Sequence, residues 1–246
     1  MPKQRRFKLV AAILVACGAL ASAPAAPVLG KTPSRQPAWG GPDSPLRPGA
    51  AMGGCTLNFV FYTPGTRARA PKGYIGTAGH CTDKVGEEIT PPGLEAIGKV
   101  VYDSDTVKST VDFSLIELYP EMIGKTNPEV LHWGGPTRVA NEEDFAFGDQ
   151  VDVYGYGLAF GQTEQTRPRY GVLVGWTDEE YQADMPAVNG DSGAPLIHHA
   201  TGAALGIISR YGFTVPPSTD LGPLMTWILE ELERAGFNVK LATVRR

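Results

Sequence analysis

Three short segments carry residue types that together could cleave an acyl bond. Thr77-Ala78-Gly79-His80-Cys81 puts a His at the end of a strand, and Val111-Asp112-Phe113-Ser114-Leu115-Ile116 puts an Asp at the start of an apolar one. Asn189-Gly190-Asp191-Ser192-Gly193-Ala194-Pro195 puts a Ser in a tight, Gly-flanked turn. A Ser hydroxyl is a poor nucleophile at neutral pH and needs a base within hydrogen-bond reach, usually His. The His needs an acceptor behind it to hold its tautomer and stabilise its cation, usually a buried Asp. Negative charge growing on the attacked carbonyl needs fixed donors, and the N–H groups of Gly190 and Ser192 can converge on one point in such a turn. Taken alone, a His in a turn or an Asp at a strand end is more often structural than catalytic. The Gly-Asp-Ser-Gly turn is more specific, and the three in the order His, Asp, Ser are strongly so.

These groups need a rigid frame, and the sequence reads as short strands joined by turns. Residues 56–62, 73–78, 96–102, 113–118, 150–156, 170–176, 194–198 and 204–209 are rich in β-branched and aromatic types and bounded by Gly, Pro, Asp or Thr. Many short strands in series predict an all-β sandwich or barrel. The period changes near the end. Leu224, Met225, Ile228, Leu229 and Leu232 recur at helical spacing with Gly236 as a stop, which predicts one amphipathic helix over 223–235.

The first 25 residues stand apart. Lys3, Arg5, Arg6 and Lys8 precede an apolar run from Leu9 to Ala16 and a small-residue tail to Ala25, the pattern of a bacterial-style secretion signal. The run is too short for a bilayer of roughly 30 Å. Leu14-Val15-Ala16-Cys17 can be read in two ways: as a lipoprotein box that would anchor the chain at Cys17, or as part of a discarded signal. The second is preferred. Residues 26–52 hold six prolines and read as a linker or short pro-segment unable to bury a core, which leaves 53–246 as the folded domain. Cys55 and Cys81 then remain, an even number in an exported protein, so a disulfide is the default; free thiols or metal ligands are the alternatives. The net charge of −4 gives no basic signature for nucleic acid or an anionic membrane.

The His, Asp and Ser segments resemble those of the chymotrypsin/trypsin-like serine proteases. Their compact spacing and the single Cys pair around the His resemble the bacterial, streptogrisin-like branch. The resemblance runs from about Gly53 to the terminal helix. It implies two packed six-stranded antiparallel β-barrels, here with a C-terminal α-helix, and an active site in the cleft between them. It implies a secreted serine endopeptidase working through an acyl-enzyme, with a peptide or protein substrate, no metal or organic cofactor, and a monomeric state. Position by position, His80 is the general base, Asp112 its orienter and Ser192 the nucleophile; Gly190 and Ser192 supply the oxyanion-hole N–H groups. Ser209, in Gly206-Ile207-Ile208-Ser209, falls on the strand that pairs with substrate.

The chain departs from the family in ways that set further expectations. No Ile-Val-Gly-Gly type start is present to supply an amine to Asp191, so an internal Arg is expected there, with Arg138, Arg67 and Arg210 as candidates. At the base of the family's primary pocket an Asp selects Lys or Arg. A gapless count back from Ser192 puts Pro186 at that position; allowing two extra residues puts Asp184 there. With Ile208 and Tyr211 on the pocket-side strand, a preference for small or medium apolar residues is expected. A catalytically inactive, protease-like binding module is the alternative. An α/β-hydrolase esterase is excluded by the order His, Asp, Ser and by Ala194 in place of the Gly of Gly-x-Ser-x-Gly. Asp103 and Asp105 rival Asp112 but lie in a polar turn-like stretch. His198 and His199 read as a surface turn.

Overall fold

The computed structural model describes residues 36–157, 163, 166–211 and 219–244, with the side chains of Tyr211 and Thr219 outside that set. The expected secretion signal with Cys17 lies outside the described residues. A short hairpin of β1 (Ala51–Met52) and β2 (Cys55–Thr56) leads into two antiparallel sheets. The first contains β3 (Val60–Thr63), β4 (Lys72–Thr77), β5 (Glu88–Ile89), β6 (Gly98–Asp103) and β7 (Ser114–Leu118). Two one-turn helices, α1 (Ser104–Val107) and α2 (Pro120–Ile123), follow β6 and β7. The second sheet contains β8 (Gln150–Tyr154), β9 (Pro168–Trp176), β10 (Glu180–Asp184), β11 (Pro195–His198), β12 (Ala203–Ile207), β13 (Arg210–Tyr211) and β14 (Thr219–Pro223). The long terminal helix α3 (Met225–Arg234) and β15 (Lys240–Leu241) complete the chain.

Strand order is β15-β3-β4-β7-β6-β5 in the first sheet and β12-β11-β8-β9-β10-β14-β13 in the second. A bridge between Gly206 and Leu224 brings β12 alongside the end of β14, so six strands curl round one core and β13 stands out as the seventh, an edge. The protein is thus mostly β, in two antiparallel barrel-like sheets with one long helix near its end, and the chymotrypsin-like expectation holds. All eight expected strands form, with ends shifted by up to four residues. Seven further short strands, β1, β2, β5, β10, β13, β14 and β15, were not predicted.

Three apolar clusters hold this together. One lies within the first sheet around Ile75, Val100 and Ile116, one within the second around Val153, Leu173 and Leu196. The third joins them, setting Phe61 and Phe113 against Ile207 and against Met225, Ile228 and Leu232 of α3. Complete burial of side chains of this size contributes about 1.5–3 kcal/mol each. The helical face predicted from spacing is therefore the seam between the sheets. Beyond it the chain returns to the first sheet, where Leu241 pairs with Phe61.

Part of the Pro-rich stretch packs against the body rather than hanging free. Leu46 is completely buried, its carbonyl accepts from Asn127 N–H at 2.9 Å, and Leu57 N–H donates to Ala50 O at 2.9 Å. Prolines suit such a strap, because an extended segment with few N–H groups needs few ladder bonds. The packed body thus reaches back before Gly53.

Candidate active site

Asp112 gathers the first part of the site. Its Oδ2 accepts from the His80 ring Nδ1 at 2.9 Å and from the Ser209 hydroxyl, and its Oδ1 accepts from the His80 backbone N–H at 3.0 Å. Local sequence explains the approach. Gly79 lets β4's exit turn lie against the start of β7, since a Cβ there would come within 2.1 Å of Ser104 Oγ and 3.0 Å of Asp112 Oδ1. Burial pushes the Asp112 carboxyl up, but the bonds from His80 and Ser209 outweigh it and hold it below the ordinary carboxylate range. The hydrogen bond to Asp112 raises the His80 imidazole above its ordinary value, against partial desolvation and with help from the charges of Asp112 and Asp105.

Ser192 arrives from the second sheet, and Thr56 fastens it. Thr56 N–H donates to Ser192 O at 2.8 Å, its hydroxyl donates to Gly190 O at 2.8 Å, and Tyr156 N–H donates to that hydroxyl at 2.9 Å. Thr77, three residues before His80, donates its hydroxyl to Thr56 O at 3.0 Å. Cys55, next to Thr56, is disulfide-bonded to Cys81, next to His80, with Cα atoms 6.2 Å apart. One short stretch thus ties the Ser turn to the His turn. Gly193 has φ +88°, and a Cβ on it would lie 2.3 Å from Thr56 O, so only glycine fits that contact.

Gly190 has φ +103°, and among the described residues neither Gly190 N–H nor Ser192 N–H is engaged. Ser192 is half-buried, and its hydroxyl makes no hydrogen bond among the described residues. The sulfurs of Cys55 and Cys81 lie beside the His80 ring but are spent in the disulfide, so the three do not make a thiolate metal site.

The buried carboxylate before Ser192 has a partner that the sequence did not single out. Asp191 is fully buried, and Arg169 at the start of β9 meets it with two bonds, Nη1 to Oδ2 and Nη2 to Oδ1, both 2.6 Å. Gly157 and Val188 N–H groups complete its shell at 2.8 Å each. None of the three expected arginines serves: Arg138 pairs with Asp144, Arg210 pairs with Glu180, and Arg67 lies on an exposed turn. Thr56 was likewise missed, since an isolated Thr carries no chemical signal in sequence.

The remaining candidates separate clearly. Asp103 is buried, caps α1 through Thr106 N–H at 2.7 Å and accepts from Thr82 at 2.7 Å, while Asp105 is exposed on α1. Asp184 ends β10, paired with Val172 and Thr219. Tyr211 lies on the edge strand β13, with its side chain outside the described residues. His198 corrects the surface-turn reading: it is buried, bonded to Thr201 Oγ1 at 2.9 Å and to Asp149 at 3.2 Å. His199 is exposed and meets Asp152 at 2.7 Å.

The fold is that of the bacterial chymotrypsin-like serine proteases. The chain is similar to a chymotrypsin of Cellulomonas bogoriensis, with 18% identity over 81% of this chain and 99% of that one and a TM-score of 0.54. It is as similar to a glutamic acid specific serine protease that uses a histidine triad in substrate binding, with 18% identity over 80% and 100% of the two chains and a TM-score of 0.54. Nocardiopsis protease gives 19% identity over 78% and 95%, with a TM-score of 0.52. No protein-family model matches the chain. No curated protein matches it by sequence.

Proposed function

We propose that the protein is an exported serine endopeptidase in which Ser192 attacks the substrate carbonyl, His80 takes its proton and Asp112 orients the imidazole. The observation that carries this reading is the Asp112 carboxylate, shared by the His80 ring and Ser209 beside the Ser192 turn. With Nδ1–H committed to Asp112, the His80 Nε2 is the ring position left to act as base. Attack forms a bond from Ser192 Oγ to the carbonyl carbon as the Ser proton passes to Nε2. The oxyanion faces the N–H groups of Gly190 and Ser192. Collapse expels the amine, which takes the proton from His80, and leaves an acyl-enzyme; water, activated by the same His, then releases the acid. The Ser192–His80 hydrogen bond, not made among the described residues, forms on substrate binding. The edge of β13 after Ser209 offers main-chain groups to an extended peptide. Residues 1–25 read as the export signal, and the Cys55–Cys81 bridge suits an oxidising compartment.

The glutamic acid specific relative uses a histidine triad. Here the histidines besides His80 are His132, His198 and His199, and the last two sit at the far end of β11 from the Ser turn. That route to an acidic substrate is not supported.

A fluorophosphonate probe tests the whole arrangement, because it needs nucleophile, base and oxyanion donors together. Labelling mapped to Ser192 is expected; no labelling would leave the inactive binding module as the better reading. The pH profile tests the base. His80 must be neutral to accept a proton, and its pKa is raised, so activity is expected to climb with pH through a midpoint above the ordinary His value of about 6.5. A rate that is flat from pH 5 to 8 would assign the base elsewhere.

A further inference from the structure

Asp220 on β14 is buried, 1% exposed, and neither carboxylate oxygen has a hydrogen-bond partner among the described residues. A carboxylate withdrawn from water without a partner is costly, so the site is incomplete as it stands. Burial, with the charge of Asp191 behind it, pushes the Asp220 carboxyl up to about 7; Arg169 pulls it down and Asp184 adds to the rise. Arg169 is the cation close by, and both its terminal nitrogens are already bonded to Asp191. Asp191 and Asp220 therefore both act on a guanidinium already committed to Asp191.

Two separate features tie Asp220 to the elements that carry the reacting groups. In the β13–β14 ladder it stands opposite Tyr211, and the next residue, Leu221, accepts Ser209 N–H at 3.2 Å. Ser209 in turn donates its hydroxyl to Asp112. From the other side, Asp191 acts on Asp220 electrostatically and is the residue before Ser192. Asp220 is thus linked through the β13–β14 ladder to the strand that follows Ser209 and through the charge of Asp191 to the turn that carries Ser192. Its side chain points inward with Ala183 and Tyr181, the buried positions of the neighbouring strand. An extended peptide paired with the outer edge of β13, the last strand of the sheet among the described residues, would run two strand spacings from β14, about 10 Å. A short side chain does not cover that distance; a Lys or Arg can.

We propose that Asp220 is the specificity-determining carboxylate of this site, and that it receives the Lys or Arg side chain of the substrate residue whose carbonyl Ser192 attacks. This rests on the protease reading above and departs from the apolar preference expected from sequence. A cation arriving at Asp220 supplies the missing partner and leaves the acid ionised. Asp184, the sequence candidate, is only half-buried and ends β10.

A peptide library, with fluorophosphonate labelling run in parallel, tests it. Wild type should select Arg and Lys. Asp220→Asn, which keeps shape, should lower kcat/KM on an Arg substrate by about 10²-fold or more while Ser192 labels at a near-normal rate. Benzamidine, a rigid cation, should slow labelling of the wild type, a readout that needs no variant. Apolar selection by an enzyme that labels normally and ignores benzamidine would overturn the assignment. So would Arg selection that survives Asp220→Asn and disappears in Asp184→Asn. Failure of labelling and of all cleavage would instead remove the protease reading, and this one with it.

Discussion

Ser192→Ala is expected to leave a folded protein, with the Cys55–Cys81 bridge in place, whose turnover of a peptide substrate falls on the order of 10⁴-fold or more. The side chain contributes one hydroxyl, half-buried and without a hydrogen bond among the described residues, so its loss should cost little stability. The contacts that fix the turn are made by the backbone: Ser192 O to Thr56 N–H, Gly193 N–H to Ile208 O, and Ala194 N–H to Asp191 O. None involves the hydroxyl. An unchanged Tm with lost turnover and lost fluorophosphonate labelling is the expected pattern. Near-normal turnover by the purified variant would refute Ser192 as the nucleophile. Loss of activity accompanied by a large drop in Tm would show that the serine holds the turn, and the rate would then say nothing about chemistry.

What could be read from sequence divides along a physical line. His80, Asp112 and Ser192 could be singled out as candidates because each sits in a short segment whose local sequence suits its proposed role, at a strand end, a strand start and a Gly-flanked turn; the structure joins His80 to Asp112. The face of α3 was legible because a 3.6-residue period survives without knowledge of what covers it. Arg169 was not, because an Arg 22 residues before Asp191 looks like any other until the chain folds back. Asp220 was invisible for the same reason: burial and lack of a partner are tertiary properties. β10 and β14 escaped because Glu180-Tyr181-Gln182-Ala183-Asp184 and Thr219-Asp220-Leu221-Gly222-Pro223 carry charged, Gly and Pro residues where strands usually have β-branched ones. Tyr181 explains part of that tolerance. A Cβ on Gly206 would meet Pro223 O at 2.4 Å and one on Gly222 would meet Ile207 O at 1.8 Å, with the Tyr181 ring next at 3.0 Å and 2.9 Å, so close backbone packing and the ring together require glycine at both.

Arg169→Ala should be the most damaging single change to the framework of the site. Asp191 has no exposed surface and Arg169 little, so removing the guanidinium strands a buried carboxylate. Breaking such a pair costs about 3–5 kcal/mol, a large share of the roughly 5–15 kcal/mol that holds a typical domain folded. The damage should also reach the chemistry. Asp191 is the anchor on which Gly157 N–H, Val188 N–H and Arg169 converge, and it lies between Gly190 and Ser192, the two proposed oxyanion donors. Arg169→Lys keeps a charge but cannot repeat the two parallel bonds, so it should fall between wild type and Ala in both Tm and kcat. Arg169→Met combined with Asp191→Asn removes both charges, and it should recover much of the lost stability without recovering turnover. Because Arg169 gives Asp191 an internal partner, the Ser turn needs no newly cut chain terminus to order it, and a chain begun just before Gln36 should be active as made. Thermal unfolding and peptide turnover of the four proteins, the three variants beside the wild type, decide the matter. An Arg169→Ala variant with unchanged Tm and kcat would mean that Asp191 is held by its backbone donors alone.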